Sequence, residues 1–140
     1  MWTTIHWCSL TRALLSGIDE GRISHVNADL TEPDSILSAP ALLDTLDLEV
    51  PTALGLIATA HFVPCEVIYE AVATLLTALA PGSYLMMTHL TAEIDPEGVA
   101  GTVAAYTQSG IVMQPRGREE FERFFTGLEL VEPGIVPLHR

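Results

Sequence analysis

Apolar positions along this chain alternate between a two-residue and a 3.6-residue repeat, the pattern of strands interleaved with helices. Residues 23–27 (ISHVN) alternate and run into a turn-rich stretch at 29–33, which predicts a strand. Residues 34–46 predict one or two short helices broken at Pro40, because proline lacks the amide donor and crowds the preceding turn. Residues 53–59 form a continuous apolar run after Pro51, as in a parallel strand buried on both faces. From Pro64 onward, Val67, Ile68, Ala71, Val72, Leu75, Leu76 and Leu79 make one helical stripe. Pro64 suits its first turn, and Ala80-Pro81-Gly82 stops it. Residues 83–88 predict a second buried strand. Asp95-Pro96-Glu97 then caps and opens a helix to about Gln108. A further helix over 117–125 turns Phe121, Phe124 and Phe125 inward and ends at Gly127, before a last strand at 128–131. Strand and helix alternating at these lengths give βαβ units and a mainly parallel sheet covered on both faces.

Composition narrows the class. The chain has 140 residues, one domain's worth, of which 49% are hydrophobic and 17% charged. That is enough apolar surface to offset the entropy of ordering, so the chain is not intrinsically disordered. The most apolar run, residues 53–60, is far shorter than the roughly 20 residues a spanning helix needs. The start, MWTTIH, carries neither a basic segment nor an apolar one of the kind that begins a secretory signal, and a cytoplasmic location is expected. Six basic residues, all arginine, face eighteen acidic ones, for a net charge of −12. Such a surface repels phosphates, so nucleic acid and anionic membranes are not expected partners. Cys8 and Cys65 form no CxxC pair and are expected as reduced thiols packing like small hydrophobes.

Candidate chemistry follows from the expected sheet, since ligands of parallel α/β sheets sit beyond the carboxyl ends of the strands. Those ends carry Asn27-Ala28-Asp29-Leu30, Thr59-Ala60-His61-Phe62 and Thr88-His89-Leu90. A carboxylate such as Asp29 can accept from an exocyclic amine while Leu30 covers a purine face; the structural alternative for Asp29 is a turn or helix cap. His61 and His89 end adjacent strands and are expected to face one crevice, where a histidine titrating near neutrality acts as a general base. The alternative is that each ring bonds a loop carbonyl and does no chemistry. Phe62 adds an aromatic wall beside His61. No HxxxH or HExxH spacing supports a metal site, and no GxSxG elbow surrounds a serine. Arg116 and Arg118 lie near Glu119, Glu120 and Glu122 and are expected to form a solvated charged face.

Four stretches in order carry a resemblance. They are NADLTEPDSIL (27–37), AHFVP (60–64), LAPGSYL (79–85) and FFTGLELVEPG (124–134). Together they resemble the actinobacterial S-adenosylmethionine-dependent methyltransferase family long catalogued as a domain of unknown function, over about residues 14–138. The resemblance implies a class I methyltransferase fold, a Rossmann-like, doubly wound, mainly parallel sheet. It implies S-adenosylmethionine as cofactor, with Asp29 and Leu30 at the adenine and Ala60, His61 and Phe62 where cofactor and a small-molecule acceptor meet. His61 is then the expected catalytic residue.

The same resemblance predicts a partial domain. The family's glycine-rich loop after the first strand and the acidic residue ending the second have no counterpart here; Ile5-His6-Trp7-Cys8 offers no carboxylate. The last strand of the family pattern lies beyond Arg140. Removing a central strand leaves unpaired backbone edges, which predicts self-association through the sheet edges and poor soluble expression. Two functions are therefore expected to compete: a methyltransferase fragment acting on an O or N acceptor, and a non-catalytic remnant serving as a scaffold or partner-binding domain.

Overall fold

The computed structural model describes residues 21–138. Two short helices open it, α1 (Pro33–Leu37) and α2 (Pro40–Leu43). Each starts on a proline whose missing amide costs nothing at a helix start. Strand β1 (Ala53–Ile57) leads through a 3₁₀ turn at Ala60–Phe62 to helix α3 (Val67–Thr77), and β2 (Tyr84–Thr88) follows. Then come α4 (Pro96–Gln108), α5 (Arg118–Glu122) and a 3₁₀ turn at Arg123–Phe125.

β1 and β2 pair in parallel, with Ala53 opposite Tyr84 and Ile57 opposite Thr88, so both strands end at one level. That β–α–β arrangement is the expected α/β class. Burial alternates as a half-covered sheet requires: Leu56 is buried and Leu54, Leu85 and Met87 pack on the same core, while Gly55, Ile57, Tyr84 and Met86 are exposed. The run at 53–59 was expected to be buried on both faces. Among the described residues only one face is covered, by α3 and the 123–125 turn. The core proper is Leu56, Ala60, Ile68, Val72 and Phe124, with Leu30, Val63, Tyr69, Phe121 and Phe125 packed around it. Ile68, Ala71, Val72 and Leu75 of the predicted stripe are the buried positions of α3.

Local signals set the helix ends. Asp95 Oδ1 accepts from the Gly98 amide at 3.0 Å, capping α4 as its sequence predicts. A Cβ at Gly98 would run into that carboxylate, so glycine is required by the cap rather than by its own flexibility. Gly127, at φ +82°, stops the last helical turn. Three expectations fail. Pro64 lies before α3, because Cys65 adopts φ +67° and the helix starts only at Val67. Residues 23–27 and 128–131 form no strand among the described residues, because a strand needs a neighbour to pair with and none flanks them there. Cys65 is an exposed free thiol at the end of a strained loop and does not pack as a small hydrophobe; Cys8 lies outside the described residues, as does the 5–8 segment. No helix among the described residues is long and apolar enough to cross a membrane.

Candidate active site at the carboxyl edge of the sheet

Because β1 and β2 end level, the segments that follow them meet. Leaving β1, the chain passes Ala58 at φ +53° and re-enters regular geometry only after Cys65 at φ +67°. These are the non-glycine residues with positive φ among the described ones, and they bracket the segment that carries His61 and Phe62. Such backbone costs on the order of 1–2 kcal/mol per residue and persists only where surrounding bonds impose it. Here they do. The Ala58 amide donates to Thr88 Oγ1 at 2.8 Å and the Cys65 amide to Gln114 Oε1 at 2.8 Å.

His61 is 8% exposed, with its ring 4.5 Å from the Phe62 ring and edge-on to His89 at 5.4 Å between centroids. The two histidines thus share one recess, as parallel neighbours at one edge should. Their roles differ. His89 Nδ1 lies 2.8 Å from the Leu90 carbonyl and Nε2 lies 3.1 Å from Arg116 Nη1. A carbonyl only accepts and a guanidinium only donates, so Nδ1 carries the proton and Nε2 its lone pair. His89 is therefore the loop-bonding histidine. The His61 ring takes no hydrogen bond from any described residue, and its Nδ1 is buried without a partner. Burial first, and the Arg116 charge second, hold the His61 imidazole below the ordinary histidine range. Burial likewise dominates for His89, with Arg116 and His61 adding to it and the Leu90 bond and Glu120 opposing.

A pH dependence of stability follows. Between the ordinary histidine value near 6.5 and the lowered native values, the unfolded chain takes up protons that the folded chain refuses. This part of the stability is fully present above pH 6.5 and is lost as the pH falls, by at most about 1.4 kcal/mol per pH unit for each histidine. Melting temperatures should fall between pH 7 and pH 5 in roughly that proportion. A flat profile there would show that both rings titrate as free imidazoles.

Phe62 is 37% exposed and continues the recess outward, meeting Tyr106 of α4 at 5.7 Å. Ala60 is fully buried beneath it. Leu30 packs on the core cluster that includes Ala60, so the end of segment 21–30 and the post-β1 loop share a floor. Asp29 stands apart. It is exposed, and its Oδ1 accepts from the Thr31 amide and hydroxyl, both at 2.8 Å, which holds its carboxyl below the usual range. That is the turn geometry named as its structural alternative; Oδ2 has no protein partner among the described residues.

Arg116 departs from expectation. It is 2% exposed and touches none of Glu119, Glu120 or Glu122. Its guanidinium donates to the carbonyls of Ala60, Val63 and Cys65 at 3.1, 3.0 and 3.2 Å. The sequence held one sign of this: Gly117 starts the acidic helix, so Arg116 precedes it and cannot use the i+4 spacing. Arg118 does behave as expected, pairing with Glu122 at 2.8 Å on the surface. Arg123 pairs with Glu66 and lies over the Tyr69 ring at 4.0 Å.

The sequence profile of a family described as S-adenosyl methyltransferase matches residues 7–140. Among solved structures, a DUF574 family protein from Streptomyces avermitilis superposes with a TM-score of 0.86 at 47% identity, over 91% of this chain and 49% of that one. A protein from Thermobifida fusca, provisionally described as a methyltransferase, superposes with a TM-score of 0.77 at 32% identity, over 91% and 47%. No protein of curated function matches. The chain spans about half the length of these solved relatives. With the parallel β–α–β unit and its strand-end recess, these matches show that the chain belongs to the S-adenosyl methyltransferase family.

Proposed function

We propose that this chain is the part of an S-adenosylmethionine-dependent methyltransferase that carries the adenine-side and acceptor-side residues, transferring a methyl group to a small-molecule oxygen or nitrogen. The observation that carries the reading is the His61 ring. It lies at the sheet edge where ligands of such sheets bind, buried, held neutral by its surroundings and without a hydrogen-bond partner among the described residues. A histidine retained for packing would bond a carbonyl, as His89 does.

The residues fit the cofactor at its adenine end. Asp29 Oδ2 has no partner among the described residues and is offered to an exocyclic amine, Leu30 offers an apolar face, and Phe62 stands half-exposed above the buried Ala60. The cofactor supplies the methyl group, bound to a sulfonium sulfur. As an acceptor oxygen or nitrogen bonded to the methyl carbon, the carbon–sulfur bond would break to release S-adenosylhomocysteine, and His61 would take the proton that the acceptor loses. Burial and Arg116 keep His61 unprotonated near neutrality, which is the form a base needs. Displacement at a methyl carbon draws most of its acceleration from alignment, so the fixed 58–65 loop contributes by holding its side chains still. The acceptor is a small molecule, since a net charge of −12 opposes nucleic acid and anionic membranes. The outer edges of β1 and β2, unpaired among the described residues, favour self-association.

Calorimetric titration of the purified chain with S-adenosylhomocysteine tests the reading. Saturable binding in roughly the micromolar range, about −8 kcal/mol, is expected. No heat from a sample with a cooperative melt would assign the chain to the non-catalytic scaffold class instead.

A further inference from the structure

We propose that Arg116 is the positioning residue of this site, a cation sealed beneath the recess that clamps the post-β1 loop and fixes the tautomer of the histidine against which His61 rests. The inference rests on the methyltransferase reading for its purpose, but its geometry stands by itself. A guanidinium taken out of water costs several kcal/mol, which proteins ordinarily offset with a carboxylate. None meets Arg116 among the described residues. Its charge is instead spread over three carbonyls of one loop, those of Ala60, Val63 and Cys65, and over the rings of Tyr69 and Phe124 at 5.4 and 5.9 Å. Those carbonyls flank His61 and Phe62 on both sides.

The rest of the strap acts in the same direction. Arg116 donates its amide to Leu90 at 3.1 Å, and Gln114 donates its amide to the His61 carbonyl at 2.7 Å. Residues 114–116 therefore tie the end of β1 to the end of β2. Through Nη1 the arginine also faces His89 Nε2, which allows only the Nδ1–H form of that ring. Protonating His89 would set two donors against each other. The groups acting on the pair are thus Arg116 of the strap on both rings and, on His89 alone, the Leu90 carbonyl, the His61 ring and Glu120 of α5. A lysine here keeps the charge but cannot present a planar fork to three carbonyls, so it separates clamping from electrostatics.

The test is nitrogen-15 NMR of the histidine rings in the intact 140-residue chain, joined to S-adenosylhomocysteine calorimetry. In the native chain His89 is expected as a single Nδ1–H tautomer and His61 as a ring that titrates below ordinary histidine. Arg116→Met should let both rings titrate towards ordinary values and weaken S-adenosylhomocysteine roughly tenfold to a hundredfold, the loss of hydrogen bonds to a charged group. Arg116→Lys should restore the low His61 titration without restoring the affinity. An Nε2–H or mixed His89 in the native chain would overturn the proposal, and so would unchanged ring titration in Arg116→Met. Should Arg116→Met fail to fold, the native tautomer and Arg116→Lys still decide. Absent S-adenosylhomocysteine binding by the native chain would refute the functional reading alone, because the ring measurements need no ligand.

Discussion

Replacing Phe124 by alanine is expected to remove about 3–5 kcal/mol of stability, a fifth or more of what a domain commonly has. Phe124 is 4% exposed and, among the described residues, is the aromatic member of the buried core cluster. Its ring stacks on Tyr69 at 4.4 Å, meets Phe121 edge-on at 6.0 Å, and lies 6.3 Å from the His89 ring. Truncation leaves a void that three rings and a guanidinium border. The neighbours are anchored on α3, α5 and β2, so the void collapses little, and the cost belongs in the upper part of the aromatic range. Urea denaturation of the variant reads it directly. Leu138→Ala, at an exposed position, should stay within about 0.5 kcal/mol and serves as the control. A loss below about 1 kcal/mol for Phe124→Ala would mean that the core is not packed as described.

On the proposed function, His61→Ala slows methyl transfer by about 10²–10⁴-fold, the span that a general base supplies. S-adenosylhomocysteine affinity should change less than about tenfold, because a base acts on the acceptor proton rather than on the cofactor. Transfer of labelled methyl from S-adenosylmethionine into a small-molecule extract, compared between the two chains, measures the first. Calorimetry measures the second. Equal rates would take the proton-accepting role from His61 and leave alignment as the whole of catalysis. A large fall in affinity with the rate unchanged at saturation would make His61 a cofactor-contact residue.

The helices were legible because their causes are local. The Asp95 cap and the Gly127 stop act within a few residues and form as read. Helix α3 buries Ile68, Ala71, Val72 and Leu75 of its stripe, while Val67 is exposed and Leu79 falls after the helix end at Thr77. The parallel ladder was legible from two apolar runs joined by a helix, and with it the meeting of His61 and His89. What failed depends on neighbours distant in the chain. Residues 23–27 and 128–131 have strand-like patterns, but a pattern becomes a strand only when another backbone lies alongside. Arg116 was misread for the same reason. Its near neighbours are glutamates, while its actual partners lie 51–56 residues earlier and are carbonyl oxygens, which every residue has and no composition reveals. His61 and His89 look alike in sequence, and only the geometry divides them into one ring held by a carbonyl and one left uncommitted.

The long reach of that arginine bears on the order in which the site comes into being. A chain emerging from the ribosome has made β1, α3 and β2 once Thr88 is out, but parallel pairing of residues 31 apart is slow, and Phe124 of the core has yet to follow. The clamp on residues 60–65 cannot close until almost thirty more residues have followed. The loop that carries His61 is thus made first and set last. Arg116 and Phe124 emerge almost together, so the clamp on the loop and the last wall of the core arrive in the same late stretch of the nascent chain.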